Sequence, residues 1–213
     1  SGMYDLHIHS NYSDGKMKVS EIAKKAKEKG LEFIAIVDHS IEHPLGLTEK
    51  KAKLRELEIE EAESMYNIKI FSGIECGINS GGEIFLPDYE FDFVIASVHD
   101  YVYGKSYYER IFSCLETFEF DVLGHPFSPL FGFNQNIRRM DETLLDMLEE
   151  REVAIEINSS HLSPPEEFLE LCKDRRLKYS IGSDAHSIVK VGDVKWCFEI
   201  AKRYLYSSEP FVP

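Results

Sequence analysis

Residues 3–15 read MYDLHIHSNYSDG. Met3 to Ile8 has the look of a short strand, and His7 and His9 stand two residues apart along it. Side chains at i and i+2 of a strand share a face, so both imidazoles aim at one spot. Asp14 follows in a Ser13-Asp14-Gly15 turn that can bring its carboxylate back toward them. Two histidines and a carboxylate converging at a strand end outline a metal site. Taken alone, the short HxH pattern fits a pair of ordinary histidines equally well.

Downstream, the chain repeats one arrangement. Strand-like runs at Leu31–Val37, Ile68–Ile74, Phe91–Val98, Phe120–Leu123, Val153–Ile157 and Lys178–Gly182 alternate with helical patterns. The helices read as Val19–Lys29 stopped by Gly30, a charged segment capped by Thr48 and running to about Tyr66, and Ser106–Phe118. Three more follow: one capped by Asp141 and ending at Glu150, one opened by Pro164-Pro165 and running to about Arg176, and Val191–Leu205. Asn79-Ser80-Gly81-Gly82 reads as a turn, and Phe127–Arg139 as a Phe-, Gly- and Asn-rich loop. The charged KKAK and ELEIEEAE runs read as a solvated helix face. Seven strands alternating with helices predict an α/β fold with a parallel sheet, either open and doubly wound or closed as a barrel. Seven is one short of the usual eight for a barrel.

The expected strand ends carry His7 and His9, His39, Glu75, His99, His125, and finally Asp184 with His186. Six of the eight histidines fall there, where random placement would put about one, since strand ends make up roughly a tenth of such a chain. A closed barrel explains the excess, because it turns all strand ends toward one mouth. With Asp14, this makes nine candidate ligands: His7, His9, Asp14, His39, Glu75, His99, His125, Asp184 and His186. Nine exceed the needs of one ion, so two or three divalent ions are implied. Imidazole mixed with carboxylate suits Zn, Mn, Fe or Ni better than Ca or Mg. Cys76 neighbours Glu75 and points to the opposite strand face.

The 213 residues include 38 acidic and 24 basic ones, a formal charge of −14. That balance argues against a nucleic-acid partner, which wants a basic face. The four cysteines form no CxxC, the usage of a reduced compartment. There is neither a bilayer-length apolar run nor a signal peptide before the first strand, so the expectation is a soluble cytoplasmic protein without a membrane partner. Ser1-Gly2 reads as an expression remnant. No linker or composition break divides the rest, which reads as a single domain over 1–213.

HIHSNYSDG, VDHS, SGIECGI, IASVHD, GHP and IGSDAHS, in this order, resemble the polymerase-and-histidinol-phosphatase (PHP) domain. The resemblance runs from His7 to about Ala201. It implies a distorted TIM-like (β/α)7 barrel and a metal-dependent phosphoesterase with two or three Zn, Mn or Fe ions. By motif, His7, His9, Glu75 and Asp184 would hold one ion, Glu75 would bridge to a second completed by His99 and His125, and Asp14, His39 and His186 would hold a third. Some relatives carry His where this chain has Asp14, which bears on the third site's metal preference. Glu75 and Asp184 are the expected catalytic residues, serving a hydroxide shared between ions with no covalent enzyme intermediate. The expected substrate is a small phosphorylated metabolite, either a phosphomonoester of the histidinol-phosphatase type or a nucleotide phosphodiester. The alternatives are a 3'-5' exonuclease acting on single-stranded nucleic acid and a catalytically silent metal-binding module.

Other residues carry weaker signals. Arg138 could grip a phosphate bidentately, and Asn158 could line the substrate pocket. His43 and His161 read mainly as surface loop histidines, Lys16 as a solvated lysine, and Asp38 as structural. Phe127, Phe131 and Phe133 could form a pocket or lid over the mouth.

Overall fold

The computed structural model describes residues 2–213; Ser1, half of the expected remnant, lies outside the described residues. The seven expected strands all form: β1 (Asp5–Ile8), β2 (Phe33–His39), β3 (Lys69–Gly77), β4 (Phe93–Ser97), β5 (Val122–Leu123), β6 (Ala154–Asn158) and β7 (Lys178–Gly182). Between and after them run α1 (Val19–Glu28), α2 (Glu49–Tyr66), α3 (Gly104–Thr117), α4 (Arg138–Arg151), α5 (Glu166–Cys172) and α6 (Lys195–Tyr204). All sheet neighbours are parallel and follow chain order.

The strand count is corrected by one. Glu209–Pro210 forms β8, parallel to the start of β7. Its bonds run from Glu209 N–H to the Leu177 carbonyl and from Phe211 N–H to Tyr179. Pro210 cannot donate to a ladder, so a two-residue strand around it is tolerated only at an edge and leaves no strand-like pattern in sequence.

The sheet curls until β1 meets the residues just past β7. Asp184 N–H donates to the His7 carbonyl (2.8 Å) and His9 N–H to the Ala185 carbonyl (2.9 Å). The Asp5 carboxylate, fully buried, locks this seam by accepting from the backbone of Ser183 and Gly192, each at 2.9 Å, and of His7 at 3.2 Å. Gly182 makes the closure possible, since a Cβ there would lie 2.5 Å from the His7 Cβ. The result is a distorted TIM-like barrel with its strand ends gathered at one mouth.

Strand parity distributes the side chains. On β2, Ile34 and Ile36 pack with Val19 and Ile22 of α1 and Ile59 of α2. Asp38 shares their face and His39 takes the other. Asp38 therefore meets Arg55 of α2 in a fully buried ion pair of 2.9 Å. Thr48 caps α2 as expected, its Oγ1 accepting from Lys51 N–H. Helix α4 departs from expectation. It starts at Arg138 after Ile137, and Asp141 lies in its first turn. There Asp141 accepts from the Tyr108 hydroxyl (2.5 Å) and the Asn136 amide (3.1 Å), so a neighbouring helix claims the carboxylate expected to cap. Among the described residues, no helix is long and apolar enough to cross a membrane.

Candidate metal centre

All nine candidate ligands meet at the mouth. His7 and His9 leave β1 on one face and Glu75 stands on β3. Asp184 and His186 follow β7, with Asp184 at φ +57°. His125 follows β5 at φ +22°, so two of the nine occupy the left-handed region that L residues avoid. Such backbone persists where the surrounding structure holds it, commonly at functional sites.

The first donor group is His7, His9, Glu75 and Asp184. His7 Nε2 lies 3.1 Å from His9 Nε2, 3.3 Å from Glu75 Oε1 and 3.4 Å from Asp184 Oδ1. His9 Nε2 lies 3.3 Å from Glu75 Oε1 and 3.0 Å from Asp184 Oδ1. Donors about 2.0–2.2 Å from a tetrahedral ion sit roughly 3.3 Å apart, and these edges match that spacing. Glu75 turns its other oxygen to a second pair. Oε2 is 3.3 Å from both His99 Nε2 and His125 Nε2, which are 3.2 Å apart. Ser97 also donates to it at 2.8 Å. Asp14 Oδ2 gathers a third set, 3.2 Å from His39 Nε2 and 3.3 Å from His186 Nε2.

The buried atoms fit cations. Ring nitrogens face each other in pairs, and His9 Nδ1, Asp14 Oδ1, His125 Nδ1 and Asp184 Oδ1 have no hydrogen-bond partner. Stranding buried polar atoms is costly unless something else satisfies them. Burial pushes the Glu75 and Asp184 carboxyls up, but His7 with His99, and His7 with His161, hold them well below the usual range. Burial likewise depresses His7 and His9, and the facing carboxylates lift both well above an ordinary imidazole. His125 stays below it, because burial outweighs its contact with Glu75.

Several sequence expectations are corrected. Arg138 stays outside the cup, its side chain 79% exposed and paired with Glu142 one turn along α4. Asn158 is buried behind the cup, where its amide donates to Glu156 and Asp184 instead of lining a pocket. His161 and His43 both reach the cup. His161 stacks on His125 at 4.1 Å, and His43 on His39 at 4.3 Å. Asp38 has the structural role expected of it, accepting from Ser10 and Ser13 in the turn that delivers Asp14. Of the three phenylalanines, only Phe131 lines the cup; Phe127 and Phe133 pack against Tyr107 and Tyr108. Cys76 faces away, its Sγ 3.5 Å from the Phe85 carbonyl.

Glu156 was missed altogether. It is fully buried on β6, bonded to His7 Nδ1, and it accepts from His125 N–H at 2.8 Å. The signal was present: an acid two residues before Asn158 in the apolar run Ala154–Asn158, the spacing already read in His7 and His9.

The PHP domain model matches residues 5–160, which leaves Asp184 and His186 to rest on the structure. The chain is 29% identical over 201 residues to the DNA polymerase/3'-5' exonuclease PolX of Bacillus subtilis, covering 90% of this chain but only 35% of that protein. It is 30% identical over 220 residues to a protein of Vibrio parahaemolyticus named a probable phosphatase, covering 92% of this chain and 82% of the relative. Among solved structures, a candidate histidinol phosphatase of Listeria monocytogenes superposes with a TM-score of 0.66 at 16% identity, over 89% of this chain and 97% of that one. Seven of the nine donors lie within the matched stretch, and the chain belongs to the PHP domain family.

Proposed function

We propose that this chain is a metal-dependent phosphoesterase that hydrolyses a small phosphorylated metabolite. One observation carries the reading: the two oxygens of Glu75 serve different imidazole sets, Oε1 facing His7 and His9 and Oε2 facing His99 and His125. With two ions present, Glu75 would offer one oxygen to the ion of each imidazole set. When bound, such ions supply water activated near neutral pH and neutralise charge on the leaving oxygen. The chain's own part is positional. Ser97 and the imidazoles fix Glu75, while Glu156 orients His7.

The cup favours a small substrate. It encloses about 330 Å³, and no lysine or arginine is among its lining residues. Polymer binding draws on Lys and Arg contacts to phosphates, so the lining and the net charge of −14 both weigh against nucleic acid. The name of the B. subtilis relative favours a second reading, a 3'-5' exonuclease.

Purified protein loaded with Mn or Zn should be assayed on p-nitrophenyl phosphate, bis-p-nitrophenyl phosphate and single-stranded DNA. Cleavage of either nitrophenyl ester supports the leading reading, and cleavage of DNA alone supports the second. Inertness toward all three leaves a silent metal-binding module.

A further inference from the structure

Asp184 presents its two oxygens to different surroundings. Oδ1 faces His7 and His9 and has no hydrogen-bond partner. Oδ2 receives the Asn158 amide N–H at 3.1 Å and lies 3.1 Å from His161 Nε2. Which end of the Asn158 side chain donates is settled locally, because Asn158 Oδ1 accepts from the His161 backbone N–H at 3.1 Å. The same amide nitrogen reaches Glu156 Oε1 at 2.9 Å.

One neutral tautomer of His161 suits its contacts. A carboxylate oxygen is an acceptor only, so a hydrogen bond from His161 to Asp184 requires the proton on Nε2, and the neutral ring then has its lone pair on Nδ1. Nδ1 lies 2.5 Å from Ser128 Oγ, which accepts from Leu130 N–H at 3.2 Å and has its hydroxyl proton available for Nδ1. The ring plane is held by parallel stacking on His125, with 8° between the planes. The turn carrying His161 is closed by reciprocal backbone bonds between Asn158 and Ser163.

We propose that His161 is a positioning residue for the metal centre. With Asn158 it fixes Asp184 Oδ2, so that Oδ1 alone is presented to the ion, and Ser128 sets the tautomer this requires. On this proposal His161 is a partner of Asp184 and not itself a ligand, although with His125 and Asp184 it makes up a group that could hold an ion. Partners that orient ligands in this way typically carry 10–100-fold in metal affinity. The inference rests on the metal-dependent reading of the site.

The test uses zinc-loaded protein labelled with 15N-histidine, together with His161→Ala, His161→Gln and Ser128→Ala. Long-range 15N–1H correlation should show His161 protonated at Nε2. In chelator competition, His161→Ala should release zinc at 10–100-fold lower chelator, with unchanged stoichiometry at saturating zinc, and His161→Gln should recover part of the loss. Ser128→Ala, the mildest change, should shift the His161 tautomer equilibrium and keeps the test open if the alanine variant at 161 does not fold. An unprotonated Nε2, the loss of a whole equivalent of zinc in His161→Ala, or an unmoved chelator midpoint would each overturn the proposal. Failure of the wild-type protein to bind zinc at all would instead remove the metal-dependent reading beneath it.

Discussion

His7 and Glu156 meet in a buried contact through Nδ1 and Oε2, both side chains fully out of solvent. The contact leaves His7 Nε2 toward His9, Glu75 and Asp184. A carboxylate behind a ligating histidine fixes its tautomer and raises its basicity. Glu156→Gln should lower metal affinity or activity by about 10–100-fold with the fold retained. Metal content after dialysis, read beside circular dichroism, checks this; an unchanged chelator midpoint would remove Glu156 from the centre.

Glu75 and Asp184 supply oxygens at the junctions between donor groups. Glu75→Gln and Asp184→Asn should each abolish ester hydrolysis while leaving the thermal transition cooperative. Wild-type turnover in either variant, with metal content unchanged, would contradict their assignment.

Arg138 is exposed and bound to Glu142 outside the cup. Arg138→Ala should therefore leave both kcat and KM for phosphate esters unchanged. A KM increase confined to phosphorylated substrates would restore the phosphate-gripping role first read from sequence.

The Asp38–Arg55 pair is fully buried, and Arg55 also donates to Ser72 and the Gly73 carbonyl. Arg55→Met would leave Asp38 charged with only the Ser10 and Ser13 donors. Breaking a buried pair from one side costs about 3–5 kcal/mol. Denaturant unfolding should show a loss of that order, and a loss below about 1 kcal/mol would mean that the pair is dispensable.

Burial pushes the Asp141 carboxyl up to about 6, against the opposing hydrogen bonds of Tyr108 and Asn136. The folded value lies above the unfolded one, so the fold prefers the protonated acid. Its favourable contribution is complete below about pH 4 and is lost as pH rises through about 6. The stability difference between wild type and Asp141→Asn should therefore shift in favour of the variant across that window. A difference independent of pH from 4 to 7 would contradict the raised value.

What was legible in the sequence was local. Parity put His7 with His9 and separated Glu75 from Cys76, and strand ends collected His39, His99, His125 and His186. Glu156, His161 and the burial of Asn158 depend on which strands become neighbours, since β6 touches the site only after the sheet curls. Arg138 misled for a related reason: a helix start following a strand end lies close to the mouth in sequence, yet its side chain turned toward Glu142. Asp141 looked like a cap because its partner Tyr108 stands 33 residues away. β8 left no pattern at all, being two residues long with a proline.

The nine side chains at the mouth are expected to work through at least two bound ions. Metal-stripped protein should be titrated with Mn or Zn while bound equivalents and p-nitrophenyl phosphate hydrolysis are followed together. Activity is expected to be absent without metal and to rise only as the second equivalent binds. Full hydrolysis by the stripped protein, or saturation at a single equivalent, would contradict it.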